Sequence, residues 1–201
     1  MFREGLLVVV SGPSGTGKGT ILEITKEKTD NVKFSISATT RLPRQGEVDG
    51  KNYFFKSVDE FNKMIEDDQL IEWVKYCDNY YGTPKQYVDE CIKKGYDVIL
   101  EIEVEGALNI KKKYPECVSI FILPPSFAEL RKRIEGRGTE KSEIIEMRME
   151  KAKSEMQLVD SYDYVIVNDN IQEAVEQLRS ILKAEKLKIK RNKDILNEIG
   201  G

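Results

Sequence analysis

A chain of 201 residues that is 40% hydrophobic and 33% charged has enough apolar material for one α/β domain with an inserted subdomain, and too much to be disordered. A formal net charge of −3 and the lack of any histidine exclude a basic nucleic-acid binder, histidine-based triads and histidine metal sites. The three isolated cysteines, the N-terminus (which is unlike a signal peptide) and the lack of an apolar run of ~18 residues predict a cytoplasmic protein without a membrane partner.

The first predicted element is an aliphatic strand that runs directly into a glycine-rich turn. Residues 6–10 read LLVVV, which is typical of a strand buried on both faces of a parallel sheet. The next residues place Gly12 and the pair Gly17-Lys18 at the spacing of a phosphate-binding loop, or P-loop. Converging backbone N–H groups, the lysine and the following helix N-terminus predict a site for the phosphates of a nucleoside triphosphate. Its residues are Gly12, Pro13, Ser14, Gly15, Thr16, Gly17, Lys18, Gly19 and Thr20.

The residue after the lysine departs from the usual P-loop. Ser or Thr commonly stands there and binds Mg²⁺ through its hydroxyl, whereas this chain has Gly19 followed by Thr20. Mg²⁺ keeps water ligands and uses substrate phosphates, so we expect phosphates and water to hold it mainly. Thr20, Glu101 and Glu103 are the candidate protein ligands. A chance glycine-rich turn is the alternative, and the strand before the loop and the helix after it argue against it.

The segment from residue 34 to 94 differs from the rest because its strands are short and rich in aromatic residues. Strands are predicted at 34–37, 53–55 and 70–76, helices at 57–67 and 84–94, and a hairpin turn at Asp49-Gly50. A capping box, Ser57 with Glu60, marks the start of the first of these helices. The contrast predicts a small inserted α+β subdomain over 34–94, within a core domain made of 1–33 and 95–201.

Beyond residue 95 the pattern returns to aliphatic strands that alternate with helices. Strands are predicted at 97–102, 118–123 and 164–167, and helices at 104–113, 126–135, 144–159 and 171–190. This alternation predicts an α/β fold with a parallel sheet flanked by helices and ligands at the carboxyl ends of the strands. Glycines on both sides of Arg137 interrupt the helices and predict a mobile helical lid over about 136–150.

Four arginines outside the P-loop form a second candidate constellation. Arg41 and Arg44 lie three residues apart in a loop, Arg137 lies between glycines, and Arg148 lies on the next predicted helix. An arginine considered alone is usually a solvated surface residue. Phosphoryl transfer, however, needs positive charge spread over the moving group, and a guanidinium holds phosphate with two hydrogen bonds. Beside a P-loop they therefore predict catalytic charges that act together with Lys18.

A third constellation lies in the insert and leaves two interpretations open. Glu72 could accept from the two adjacent N–H donors of guanine while Ser37 and Thr83 donate to its O6, or Glu72 is simply an outward residue of an alternating strand. Tyr53 and Tyr81 could likewise donate to phosphate or fill an aromatic core.

Three stretches together resemble the guanylate kinase family: SATTRLPRQGEVDGKNYFF, LIEWVKYCDNYYGTP and EGRGTE occur in the family's order. The resemblance covers about residues 5–183. It implies transfer of the γ-phosphate of ATP, the co-substrate, to GMP with Mg²⁺ as cofactor. It also implies a P-loop core with an inserted GMP-binding subdomain and a lid. ATP and GMP are the expected partners, nucleic acid is not, and the oligomeric state is left open.

The resemblance also implies a role for each matching residue. Ser37, Glu72 and Thr83 would bind guanine, and Arg41, Arg44, Tyr53 and Tyr81 would bind the GMP phosphate, with Glu47 orienting the arginines. Arg137 and Arg148 would be lid arginines, and Asn168 would lie near the adenine of ATP. Glu101 stands where the family commonly has Asp, so GMP, an arginine and a hydrated magnesium all remain possible partners for it. Another nucleoside monophosphate kinase and a non-catalytic binding module are the alternatives; the retained lysine and arginines argue against the module.

Overall fold

The computed structural model describes residues 4–76, 78–136 and 142–193. The nine strands of these residues are β1 Leu7–Ser11, β2 Val32–Phe34, β3 Ala38–Thr39, β4 Phe54–Phe55, β5 Leu70–Tyr76, β6 Asn79–Pro84, β7 Asp97–Glu101, β8 Val118–Leu123 and β9 Tyr164–Val167. Their seven α-helices are α1 Lys18–Glu27, α2 Val58–Glu66, α3 Lys85–Lys93, α4 Val104–Lys113, α5 Phe127–Glu135, α6 Ser142–Met156 and α7 Ile171–Leu187. Parallel sheet strands with helices between them confirm the predicted α/β class.

The chain folds into two compact units. The first consists of Met1–Ser11 and Val32–Ser119, and the second of Gly12–Asn31 and Ile120–Gly201. In the first unit, β2 and β1 flank β7, and both pair with it in parallel. Val8, Val9 and Val10 are fully buried, as the unbroken aliphatic run predicts for a strand covered on both faces.

The first unit also contains a second, smaller sheet in the order β4-β3-β6-β5. β6 pairs antiparallel with both β3 and β5, whereas β3 and β4 are parallel. Its small core is built on Ala38, Phe61 and Leu70. The predicted capping box starts α2: the Ser57 side chain accepts from the Glu60 N–H and the Glu60 carboxylate accepts from the Ser57 N–H. This sheet lies within residues 34–94, but the boundaries of the insert stay a prediction.

In the second unit, residues 120–123 of β8 pair in parallel with β9. Helix α1 packs against α7, and α5 packs against α6 around Leu130, Ile134, Met149 and Ala152. Among the described residues, no helix is long and apolar enough to cross a membrane.

Two local predictions in the insert are wrong. Residues 35–37 are not a strand, because the chain leaves the edge of β7 after Phe34 and joins the second sheet only at Ala38. Asp49-Gly50 is not a hairpin turn, because the strands on either side, β3 and β4, run parallel. Gly50 does adopt a positive φ of 71°, and the Asp49 side chain accepts from the Phe55 N–H instead of closing a two-residue turn.

Three predicted ends also differ by a few residues. Helix α6 spans 142–156 instead of 144–159, and α7 ends at Leu187 instead of continuing to 190. After Lys188 the chain makes a short 3₁₀ turn, Ile189–Arg191, which continues the charged pattern without continuing the α-helix.

Candidate nucleotide-binding sites

The P-loop residues belong to the second unit, and two of its glycines are required by both conformation and space. Gly12 has φ +143°, and a Cβ there would lie 2.2 Å from the carbonyl oxygen of Ile122. Gly17 has φ +86°, caps the N-terminus of α1, and would place a Cβ 2.4 Å from the side-chain nitrogen of Asn168. Any other residue at these two positions would strain the backbone and collide with a neighbour. The tight curl of the loop therefore requires glycine at these two positions.

Lys18 is the first residue of α1, and its ammonium group folds back over the loop. Its Nζ donates to the carbonyl oxygen of Gly12 at 2.6 Å and to that of Pro13 at 3.1 Å. The hydroxyl of Thr16 donates to the same Pro13 oxygen at 3.0 Å. The charge of Lys18 is thus placed at the loop itself, next to the positive end of the α1 dipole. Both features favour an anion at this point.

Gly19 and Thr20 follow on the first turn of α1, where both residues are exposed. A Cβ built on Gly19 meets no atom of the described residues within 4 Å, so a side chain at this position has room. The glycine is therefore not required by packing.

Gly19→Ala should stabilise the protein by about 0.5–1 kcal/mol, because glycine loses more backbone entropy than alanine when it enters a helix. The measurement is the free energy of unfolding by denaturant. Gly19→Ser, which adds the hydroxyl of the usual P-loop, should lower the Mg²⁺ concentration needed for half-maximal binding of a nucleoside triphosphate relative to Gly19→Ala. Equal Mg²⁺ requirements in the two variants would show that a hydroxyl here does not reach the ion.

Asn168 immediately follows β9 and is buried beneath the P-loop. Its side-chain nitrogen donates to the carbonyl oxygen of Thr16 at 2.7 Å. The guanidinium of Arg133 donates to the Asn168 carbonyl oxygen at 3.1 Å and forms an ion pair with Glu129, also at 3.1 Å. The sequence does not single out Arg133, because its partner is a backbone carbonyl 35 positions away.

Arg137 lies outside the described residues, and Arg148 lies half-buried on α6. Arg131 of α5 makes two hydrogen bonds of 2.7 and 2.9 Å to the carboxylate of Glu146 on α6, within the predicted lid. This paired geometry is the strongest form of an arginine–carboxylate contact.

In the first unit, one carboxylate holds both arginines of the 41–47 loop. The Arg41 guanidinium donates to the two Glu47 oxygens at 2.9 and 3.0 Å, and the Arg44 backbone N–H donates to Glu47 Oε2 at 2.7 Å. These contacts hold the pKa of Glu47 below its usual range, with the Arg41 hydrogen bonds as the main cause. The loop conformation thus depends on an ionised Glu47, which fixes the Arg41 side chain directly and Arg44 through its backbone.

Tyr53 and Tyr81 lie beside the same arginine. Their ring centroids are 6.2 Å apart in an edge-on arrangement, and the Arg41 guanidinium lies 5.4 Å from the centroid of Tyr53. The two phenols and the guanidinium form one group of hydrogen-bond donors, and a cation–π contact with Tyr53 stabilises the guanidinium.

Glu72 faces a cavity of about 540 Å³, a size suited to a small ligand. Ser37, Tyr81 and Glu101 line the same cavity. The hydroxyl of the fully buried Thr83 donates to Glu72 Oε1 at 2.7 Å. Burial raises the pKa of the Glu72 carboxyl, and the Thr83 hydrogen bond opposes that rise. Glu72 is thus a partly desolvated carboxylate whose direction is fixed by Thr83.

Comparisons with known proteins agree with the motifs. The family model described as guanylate kinase matches residues 4–185. The chain is 55% identical over 197 residues to a guanylate kinase of Caldanaerobacter subterraneus subsp. tengcongensis, covering 98% of this chain and 96% of the relative. It is 50% identical over 192 residues to the guanylate kinase of Bacillus subtilis, covering 95% and 94%. The crystal structure of guanylate kinase from Anaplasma phagocytophilum matches with a TM-score of 0.69 at 34% identity, over 94% of this chain and 90% of that one. The chain therefore belongs to the guanylate kinase family, as the resemblance in its motifs predicted.

Proposed function

We propose that this chain carries out the guanylate kinase reaction, the transfer of the γ-phosphate of ATP to GMP to give ADP and GDP. One group of its residues would bind ATP and another would bind GMP. The observation that carries the assignment of GMP is the Glu72 carboxylate, which Thr83 orients in a cavity of ligand size. The P-loop with Lys18 is the proposed ATP site, together with Thr20 and Asn168. In purine nucleotide metabolism, such a reaction converts GMP to the diphosphate.

Guanine recognition is assigned to Glu72, Ser37 and Thr83. Guanine places N1–H and the N2 amine side by side, and an ionised carboxylate can accept from both. Adenine presents an acceptor where guanine has N1–H, so the same carboxylate repels it. Because the Thr83 hydroxyl already donates its hydrogen bond to Glu72, Ser37 is the hydroxyl that remains to donate to guanine O6. Glu101, which lines the same cavity, is proposed as a further GMP contact.

The GMP phosphate is assigned to Arg41, Arg44, Tyr53 and Tyr81. Arg41 and the two phenols already form one group, and Glu47 holds the loop that carries both arginines. Planar guanidinium groups suit a phosphate because each can make two parallel hydrogen bonds to it.

The chemical step needs no protein nucleophile. An oxygen of the GMP phosphate attacks the γ-phosphorus of ATP, a new O–P bond forms, and the bond to the bridging oxygen breaks with its electrons leaving on ADP. The attacking oxygen is already negatively charged, so no strong base is required. Lys18, Arg41, Arg44, Arg137 and Arg148 are the proposed catalytic charges, which position the phosphates and offset the charge that develops on them. Closure of the lid would exclude water and limit ATP hydrolysis.

The described residues offer few ligands of their own to a divalent metal. Among residues 4–76, 78–136 and 142–193 there is no group of three or more His, Cys, Asp or Glu side chains that could hold an ion. The Thr20 hydroxyl and the Glu101 and Glu103 carboxylates are single hard oxygen donors of the kind that Mg²⁺ accepts. This donor set fits an ion that arrives with ATP and is held mainly by phosphates and water. When bound, such an ion would supply positive charge at the phosphates.

The cellular setting is proposed as the cytoplasm. Cys91 and Cys117 are free thiols and both are buried, which suits a reducing compartment.

The proposed function is tested by measuring ADP release from ATP and Mg²⁺ with GMP, AMP, CMP and UMP as acceptors. We expect GMP to give by far the highest kcat/KM. Faster reaction with another monophosphate would assign a different nucleoside monophosphate kinase, and no ADP release with any acceptor would favour a binding module.

A further inference from the structure

Asn168 is fixed in place by contacts that do not involve a nucleotide. Its backbone N–H donates to the carbonyl oxygen of Leu123 at the end of β8, at 2.8 Å. Its own carbonyl oxygen accepts from Arg133, which Glu129 holds in turn. The residue is only 5% exposed. A residue held at both ends of its backbone and buried is a rigid point from which another segment can be positioned.

From this fixed point, the Asn168 side chain reaches the P-loop. The atom that lies 2.7 Å from the Thr16 carbonyl oxygen is the amide nitrogen, since two acceptor oxygens would repel each other. Thr16 is itself fully buried, and its hydroxyl is bonded to Pro13. Asn168 therefore determines the direction in which the Thr16 carbonyl points.

That direction matters because of the geometry of the peptide bond between Thr16 and Gly17. In a trans peptide the C=O group and the following N–H point in opposite directions, and the described part of the chain contains no cis peptide. With the Thr16 carbonyl turned toward Asn168, the Gly17 N–H points away from it. Gly17 has a positive φ and no side chain, so little in the residue itself resists rotation of this peptide. A rotated peptide would present a carbonyl oxygen to the phosphates instead of an N–H.

We propose that Asn168 is a positioning residue of the P-loop: its amide holds the Thr16–Gly17 peptide so that the Gly17 N–H is available to the triphosphate. Asn168 then acts on every triphosphate ligand and does not select adenine, which is a different role from the adenine contact expected from the sequence. The inference rests on the proposed ATP site at the P-loop.

The test replaces Asn168 with leucine, which has a similar shape and no hydrogen-bond donor. We expect the affinity for inorganic triphosphate, measured by titration calorimetry, to fall about tenfold, since the loss of one such hydrogen bond is worth about one decade in binding. The affinity for ATP should fall by the same factor, and the affinity for GMP should not change. A loss for ATP without a loss for inorganic triphosphate would assign Asn168 to adenine and overturn the proposal.

A matched pair of aspartate variants separates the hydrogen bond from charge. Asn170 lies two residues away, and its Oδ1 accepts from the N–H groups of Gln172 and Glu173 at 2.9 and 3.3 Å. Aspartate can replace it there, because a carboxylate also accepts, but it cannot replace the donor at Asn168. Asn168→Asp should weaken inorganic triphosphate binding at least as much as Asn168→Leu, and Asn170→Asp much less. Equal weakening by both aspartates, with none in the leucine variant, would attribute the effect to charge.

Two controls keep the outcomes distinct. Thermal unfolding and GMP binding show whether each variant is folded. The triphosphate affinity is interpreted for variants that keep the wild-type unfolding temperature and affinity for GMP. Wild-type protein that does not bind inorganic triphosphate would overturn the P-loop assignment itself. Wild-type protein that binds it, with Asn168→Leu binding equally well, would overturn only the role of Asn168.

Discussion

Glu72→Gln should lower kcat/KM for GMP by about 100-fold or more, because a site built to pair with polar groups strongly rejects a mismatch. The amide of glutamine carries one acceptor and one donor, so one of the two N–H donors of guanine would face an N–H of the protein. Glutamine can still accept from Thr83 through its oxygen, so the existing 2.7 Å contact need not be lost. The measurement is the steady-state rate of ADP release at varied GMP concentrations.

IMP tests the pairing of Glu72 with the base by changing the substrate, since IMP keeps the N1–H donor of GMP but lacks the 2-amine. The wild-type preference for GMP over IMP should shrink in Glu72→Gln. Glu66→Gln, the same change at an exposed position of α2, is the matched control and should leave both substrates unaffected. Unchanged GMP kinetics in Glu72→Gln would mean that the base is bound elsewhere.

The raised pKa of Glu72 gives this substitution a second consequence. Burial favours the neutral carboxyl, so the folded-state pKa of Glu72 lies above its unfolded-state pKa. The free energy of unfolding therefore falls as the pH rises from the unfolded-state pKa through the folded-state pKa. A salt-bridged acid shows the opposite dependence. Glu72→Gln should therefore unfold at a higher temperature than the wild type at neutral pH without ligand. GMP binding needs the ionised form of Glu72, so KM for GMP should rise more steeply in the wild type than in Glu72→Gln as the pH falls through the raised pKa.

The parts of the fold that the sequence predicts well are those that local pattern controls. The aliphatic run of β1 and the largely apolar run of β8 predict strands buried on both faces. Ser57 with Glu60 defines the start of α2 through hydrogen bonds within four residues. The helix α4 and the strands β5 and β9 likewise have the predicted bounds.

The errors arise where a distant partner decides the structure. Nothing local in residues 34–37 shows that Phe34 pairs with Ile99 while Ala38 pairs with Gly82 in a different sheet. The local sequence does not predict the parallel pairing of β3 with β4 either, because the direction of β4 depends on the path of the long segment that connects the two strands. The Asp49-Gly50 sequence supplied a turn, and only tertiary pairing determined which kind.

The same distinction applies to the candidate sites. The P-loop spacing is local, so its residues could be named from the sequence, whereas the contact from Asn168 to Thr16 spans 152 positions. Glu47 could be placed with the arginines only through the family resemblance, and the structure adds that it binds Arg41 by side chain and Arg44 by backbone. Arg133 was missed because its partner, the Asn168 carbonyl, carries no sequence signal.

Lys18→Met should reduce kcat by about 1000-fold, at the upper end of what the loss of one preorganised charge costs at a reacting centre. The Lys18 ammonium is held over the loop by the carbonyl oxygens of Gly12 and Pro13, and methionine keeps most of the length of its side chain without the charge. Because charge on the phosphates is redistributed as the γ-phosphoryl group moves, kcat should fall more than KM for ATP rises. Single-turnover measurement of ADP formation at saturating ATP and GMP gives the rate of the chemical step.

Lys28→Met is the matched control for this loss, because it removes the same charge at the other end of α1. Lys28 is exposed just beyond the last residue of the helix, and its ammonium donates to the side chain of Gln172 at 2.8 Å. We expect its kcat to stay within about twofold of the wild type, since an exposed charge remote from the loop is screened by solvent. If Lys18→Met kept wild-type turnover while still binding ATP, the lysine would act only in binding, and the arginines alone would have to offset the charge of the transferred phosphoryl group.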